Sequence, residues 1–224
     1  MMLAGLMTAA ATLPESDRAT PLFKWTAGLT AAALQSLLYF GIGHAHLARS
    51  TELLRTPLDD AIPFLHWTSW FYLPIYAAIF VICIVGFRSR RLYKRALMAV
   101  LVVAVVGAAG HILIAAEYPR PVLHPPYGSL STWFMAFVQS IDPPGNVFPS
   151  LHVAQTSTLA FLLHRDRPRL GTVTIVMAAL LALSTLTTKQ HFIADVISGY
   201  ALAFVARAAA LFRLPRVAAA TTPP

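Results

Sequence analysis

Asn146-Val147-Phe148-Pro149-Ser150-Leu151-His152 and Ser184-Thr185-Leu186-Thr187-Thr188-Lys189-Gln190-His191-Phe192-Ile193-Ala194-Asp195 bound the stretch whose reading decides this chain. The first segment opens one apolar helix and the second leads into another, so two histidines and a carboxylate sit at helix mouths. His191 and Asp195 are four residues apart and share one face of a helix. A carboxylate so placed accepts the proton of one imidazole nitrogen, fixes the tautomer and leaves the other nitrogen free to act. That pairs a nucleophile with its orienting group.

Working outward, the composition is wrong for a soluble domain. Of the 224 residues, 57% are hydrophobic and 12% charged, against roughly 25% charged in soluble proteins. The net charge of +8 falls in short clusters between apolar segments, without the interleaved aromatics of a nucleic-acid face, and no nucleic-acid partner is expected. The clusters read as topology signals. The single cysteine, Cys83, excludes an intrachain disulfide and a thiolate metal cluster.

The expected fold is all-α: a polytopic membrane protein of six transmembrane helices with both termini cytoplasmic. Residues 1–24 read as an N-terminal arm without the basic leader of a signal peptide, 25–212 as a single domain, and 213–224 as a basic, disordered tail. The spans are Trp25 to Gly43, the aromatic cluster of Trp67 and Trp70 to about Phe87, Ala96 to Ala116, Ser150 to His164, Gly171 to Thr187, and His191 to about Val205. The fourth is short for a crossing. Between the third and fourth, Leu130, Trp133, Phe134, Phe137, Val138 and Ile141 form a helical stripe, predicting a short helix on the membrane surface.

Charge counting tests this layout. Arg18, Lys24, Arg88, Arg90, Arg91, Lys94, Arg95, Arg165, Arg167, Arg169, Arg207, Arg213 and Arg216 fall on one side, which the positive-inside rule makes cytoplasmic. Arg49, Arg55, Arg120 and Lys189 fall on the other. Arg120, His152, His191 and Asp195 then all come out extracytoplasmic, although the layout made no use of the histidines or of Asp195.

Ser150 is a good N-cap, and the amides it leaves at the helix mouth beside His152 favour an anion, phosphate above all. Arg120, between Pro119 and Pro121, offers a planar fork of donors to phosphate oxygens, and Lys189 a second positive charge. Phosphoryl transfer asks for an in-line nucleophile, cations around the equatorial oxygens and a proton for the departing alkoxide. His191 would attack phosphorus with Asp195 holding its ring. His152 would protonate the leaving oxygen and later deprotonate the water or alcohol that cleaves the phosphohistidine. No metal or other cofactor is expected. His44, His46, His66, His111, His124 and His164 read as packed or interfacial residues, the His44 and His46 pair being weak as metal ligands. A small proton-coupled carrier, with His191 and Asp195 relaying protons, and a non-catalytic scaffold are rival readings. The first predicts polar groups near the bilayer midplane and inverted repeats, and neither is visible.

Arg120-Pro121, Pro149-Ser150-Leu151-His152, and Ser184 through His191 to Asp195 resemble, in order and spacing, the three signatures of the type 2 phosphatidic acid phosphatase superfamily. The usual forms are Lys-x6-Arg-Pro, Pro-Ser-Gly-His and Ser-Arg-x5-His-x3-Asp. The resemblance implies a six-helix membrane fold with an outward-facing site. The expected lysine falls on Leu113, the glycine on Leu151 and the second arginine on Thr185. In motif form the chain is similar to the inositol phosphorylceramide synthase branch, whose members can pass a phosphoryl headgroup to an alcohol instead of water. The implied activity is a lipid phosphatase, or a related phosphotransferase with an alcohol acceptor. The implied location is the bacterial inner or plasma membrane, with the site extracytoplasmic.

Overall fold

The computed structural model describes residues 14–44 and 50–212. Residues 1–13 of the expected arm, His46, Arg49, Arg213, Arg216 and the 213–224 tail lie outside the described residues. Among those described the chain forms eight α-helices and no β-strand: α1 (Pro21–Gly43), α2 (Pro57–Ala61), α3 (Ser69–Gly86), α4 (Arg90–Leu113), α5 (Leu130–Ile141), α6 (Leu151–Asp166), α7 (Pro168–Thr187) and α8 (Ile193–Leu211).

The starts of these helices are written in their first residues. Hydroxyl oxygens of Thr20, Ser89, Ser129 and Ser150 accept from the N–H of Phe23, Leu92, Thr132 and Val153, satisfying amides that a helix cannot pair internally. Pro21 and Pro168 stand in the first turn of α1 and α7, where a missing N–H does no harm. The third expected span began at Ala96, but α4 starts at Arg90 because Ser89 caps it there. The basic run therefore rides on the first turns of a helix rather than in a connection. Its long side chains reach out from the helix surface: the Arg95 guanidinium donates to the carbonyls of Ala210 and Phe212.

Four segments are long and apolar enough to cross a membrane: His66–Gly86, Arg90–Leu113, Pro168–Thr187 and Ile193–Leu211. The other two long helices join the same bundle with different sequences. α1 has 23 residues, with Gln35 and Ser36 interrupting its apolar run. α6 has only 16 residues, 12 of them buried, and packs against α3, α4, α7 and α8. A helix wrapped by other helices needs no lipid-facing stripe, which is why α6 carries Gln155, Thr156, Ser157 and Thr158. The hydroxyls of Thr156 and Thr158 donate to the carbonyls of His152 and Ala154, one turn back.

The long helices alternate in direction, so the bundle has two unlike ends. At the basic end the Lys24 ammonium donates to the Val85 carbonyl (2.8 Å), Asp17 accepts from Ser89 and Arg91, and Asp166 accepts from the Arg88 N–H. At the opposite end meet the start of α3, the ends of α1, α4 and α7, and the mouths of α6 and α8. α5 forms where the apolar stripe predicts a short helix, and packs against the start of α3 at this end. Met135 and Val138 face inward against Tyr72, Trp133 and Phe137 stay exposed, and Phe134 stacks on Trp70 at 4.1 Å.

Candidate active site

Ser150 caps α6 through its hydroxyl and donates its own N–H to the Asp195 carbonyl at 3.1 Å, tying the mouths of α6 and α8 together. Leu151, where the resembling motif has glycine, is matched by an absence elsewhere. A Cβ on Gly107 of α4 would lie 2.3 Å from Leu151 Cδ2, and one on Gly110 would lie 2.8 Å from the Phe148 carbonyl. The bulk added at Leu151 occupies the space left by Gly107, so the segment 148–151 lies directly on α4.

This packing brings His152 and His191 together, with ring centroids 5.9 Å apart and the ring planes at 62°. Both are buried. α8 starts at Ile193, so His191 precedes the helix instead of sharing one of its faces with Asp195, and the two still meet, His191 Nδ1 standing 3.4 Å from Asp195 Oδ2. The same oxygen accepts a shorter bond, 2.7 Å, from the Phe192 N–H at the start of α8, while Asp195 Oδ1 is buried with no hydrogen-bond partner among the described residues. The Val147 backbone also hydrogen-bonds the His191 ring.

Around His152 the structure adds residues that the sequence reading missed. The Tyr72 hydroxyl lies 3.1 Å from His152 Nδ1 and 3.2 Å from Nε2, and donates to Asp142 Oδ2 at 2.7 Å. Tyr39 donates to the other oxygen of the same carboxylate. Arg120 arrives from the loop between α4 and α5 to donate to the Asp142 carbonyl and, at 3.4 Å, to its Oδ2. Its Nε is buried without a partner among the described residues. Burial alone would raise the Asp142 carboxyl, but the His152 ring, Arg120 and the two tyrosine hydroxyls outweigh it and hold it below the usual carboxylate range. Arg120, Asp142, Tyr72 and His152 thus form one chain of contacts. Two signals in the sequence point toward it: a lone carboxylate eight residues before Ser150, and tyrosines at 72 and 76 on one face of α3.

Lys189 takes a different place. Its ammonium donates to the Asp59 carbonyl at 2.7 Å, and burial pulls its pKa down against the upward influence of Asp59 and Asp60. No hydrogen bond or ion pair among the described residues joins it to His152, His191 or Arg120. Asp59 in turn accepts from the Ile193 N–H at 2.7 Å, so the loop carrying α2 is pinned onto the mouth of α8. At the two positions that the resembling motifs fill with cations, Leu113 is exposed at the end of α4 and Thr185 is buried, its hydroxyl donating to the Ala182 carbonyl. No group of three or more His, Cys, Asp or Glu side chains is placed to hold a metal ion among the described residues. His111 is packed, within 3.2 Å of the Pro149 carbonyl.

Residues 43–209 match the family model of the PAP2 superfamily, well over half of the chain, and the chain belongs to that superfamily. Comparisons with curated proteins and with solved structures returned no match. Membership together with four long apolar helices makes this a membrane protein of phosphatase-type function.

Proposed function

We propose that this member of the PAP2 superfamily is an integral membrane phosphohydrolase that cleaves a phosphate monoester or diphosphate of a lipid. The observation that carries the reading is the pair of buried rings, His152 and His191, held 5.9 Å apart at the mouths of α6 and α8. One phosphoryl group between them would touch both.

In the proposed reaction a nitrogen of His191 attacks phosphorus while Asp195 keeps the other nitrogen's proton. The bond between phosphorus and the lipid oxygen breaks, and His152 delivers its proton to that oxygen, releasing the lipid alcohol. Water then attacks the phosphohistidine, gives its proton back to His152, and inorganic phosphate leaves. Arg120 and the first amides of α6 meet the phosphoryl oxygens. A dianion arriving at Arg120 competes with Asp142 for the same guanidinium. The contact of Lys189 with Asp59 gives no support to a phosphate role for that residue. An alcohol in place of water makes the same site a headgroup phosphotransferase, and a cavity beside His152 favours keeping this second reading. All six long helices cross the bilayer in this proposal. The basic end is cytoplasmic and the histidines lie near the extracytoplasmic surface.

The test is phosphate release and lipid product formation by purified protein in detergent, across lipid phosphates with and without alcohol acceptors. His191→Ala should reduce turnover at least about a thousandfold and remove the acid-labile phosphoprotein trapped from labelled substrate. Equal turnover by wild type and variant would overturn the assignment.

A further inference from the structure

Beside His152, the C-terminal half of α1, the first turns of α3, the end of α5 and the start of α6 line a cavity of about 120 Å³. Its wall includes Gln35, Tyr39, Tyr72, Tyr76, His152 and Gln155, and exposed Phe40 and Ile141 also border it. The cavity has room for the polar end of one lipid.

Gln35 is the unexplained residue here. It sits in the middle of α1 and is only 7% exposed, yet its Oε1 has no hydrogen-bond partner among the described residues. Its amide is oriented together with that of Gln155, through the Tyr76 hydroxyl between them. The Tyr76 hydroxyl has one proton and donates it to Gln155 Oε1 at 2.7 Å, so toward Gln35 it can only accept. It does so from Gln35 Nε2 at 3.4 Å. The NH2 group is thereby turned to Tyr76, and the carbonyl oxygen is left as a buried acceptor. An acceptor without a donor is costly, and a ligand that brings an N–H or O–H removes that penalty. The Tyr76 and His152 rings are 4.8 Å apart, so this acceptor belongs to the surroundings of the ring proposed to protonate the leaving oxygen.

We infer that this cavity is the subsite for the lipid alcohol, and that Gln35 selects alcohols keeping a hydrogen-bond donor beside the reacting oxygen. A monoacylglycerol backbone offers a free hydroxyl there; a sphingoid backbone offers an amide N–H and a hydroxyl. Diacylglycerol and polyprenols carry a single hydroxyl, the reacting one, with only ester oxygens or hydrocarbon beside it, so they cannot meet both His152 and Gln35 Oε1. The choice of reacting oxygen rests on the phosphatase reading of His152; the binding preference does not.

The test is therefore a binding measurement on the purified full chain in detergent, with tritiated monooleoylglycerol, ceramide and dioleoylglycerol as separate arms and no phosphate present. Wild type should bind at least one of the first two about tenfold more tightly than dioleoylglycerol, the worth of one hydrogen bond to an otherwise unpaired group. Gln35→Leu should bring that margin to within about twofold and leave dioleoylglycerol binding nearly unchanged. If Gln35→Leu does not elute as a single folded species, the near-isosteric Gln35→Met takes its place. The arm with the larger margin names the source, lysolipid or sphingoid. No margin in wild type, or a margin that survives the loss of the amide, overturns the inference. A chain that binds with this preference but hydrolyses no phosphate overturns the catalytic reading instead.

Discussion

The two histidines at the centre of the site are held in opposite ways. His191 depends on its own neighbourhood: Asp195 is four residues on, and Phe192 between them donates to the same carboxylate oxygen. His152 depends on the whole bundle: Tyr72 is 80 positions away, and behind it stand Asp142, Tyr39 and Arg120 from three further segments. The local half is under-satisfied, with a 3.4 Å contact and an orphaned Asp195 Oδ1, whereas both oxygens of Asp142 are engaged in the distant half. A short local pairing can tolerate slack that a substrate takes up. A carboxylate gathered from several helices also holds those helices together.

The contrast breaks most visibly when each carboxylate loses its charge. Asp142→Asn leaves the nearly buried Arg120 uncompensated, and breaking such a pair is expected to remove about 3 kcal/mol of stability, lowering the unfolding temperature by on the order of 10 °C. Asp195→Asn removes a carboxylate with one oxygen already unpartnered. Its stability should change by less than about 1 kcal/mol while turnover falls roughly a thousandfold, as the ring loses its orienting acceptor. Tryptophan fluorescence during heating and phosphate release measure the two quantities. Equal loss of stability in both variants would erase the distinction between a structural and a catalytic carboxylate.

The pH dependence sharpens the same point. Asp142 is held below the ordinary carboxylate range, so its contribution is fully present above a pH of about 4 and is lost as pH falls through its depressed folded value. Below pH 4 the wild-type unfolding temperature should fall more steeply than that of Asp142→Asn, which has no such proton to take up. Parallel acid limbs would remove Asp142 from the account.

How legible each half was follows from the same difference. The helix mouth at Ser150, the stripe of α5 and the pairing of His191 with Asp195 rest on contacts within about one helical turn, and such contacts are visible in spacing. Tyr72, Tyr39 and Asp142 act across the bundle, where spacing carries no information about which residues meet. The shortness of α6 had a tertiary cause: its neighbours bury it, and it is not obliged to look like a lipid-facing span. α4 begins ahead of its apolar run because charged residues do not by themselves end a helix, and Ser89 caps it before the basic residues.

Gly107→Ala probes the seam between the halves. Its Cβ would stand 2.3 Å from Leu151 Cδ2, forcing the α6 mouth off α4, and a loss of about 1–3 kcal/mol is expected from such overpacking. The double variant Gly107→Ala with Leu151→Ala should recover most of the loss, since the two side chains compete for one space. Additive losses in the double variant would show that the glycine serves something other than Leu151.

The smallest effect belongs to Lys189, the one non-glycine residue with positive φ (55°) among those described. A side chain in that region carries a strain that glycine does not, while the chain loses the bond from its ammonium to the Asp59 carbonyl. Because the ammonium is only partly buried, that bond is worth little, and Lys189→Gly is expected to raise stability by about 0.5 kcal/mol or leave it level. The Michaelis constant for the phosphate substrate should stay within about twofold of wild type, because the contacts of the side chain point to Asp59 and away from the histidines. A tenfold rise with unchanged stability would instead return Lys189 to the phosphate and make the outer loop, through Asp59, part of the local half of the site.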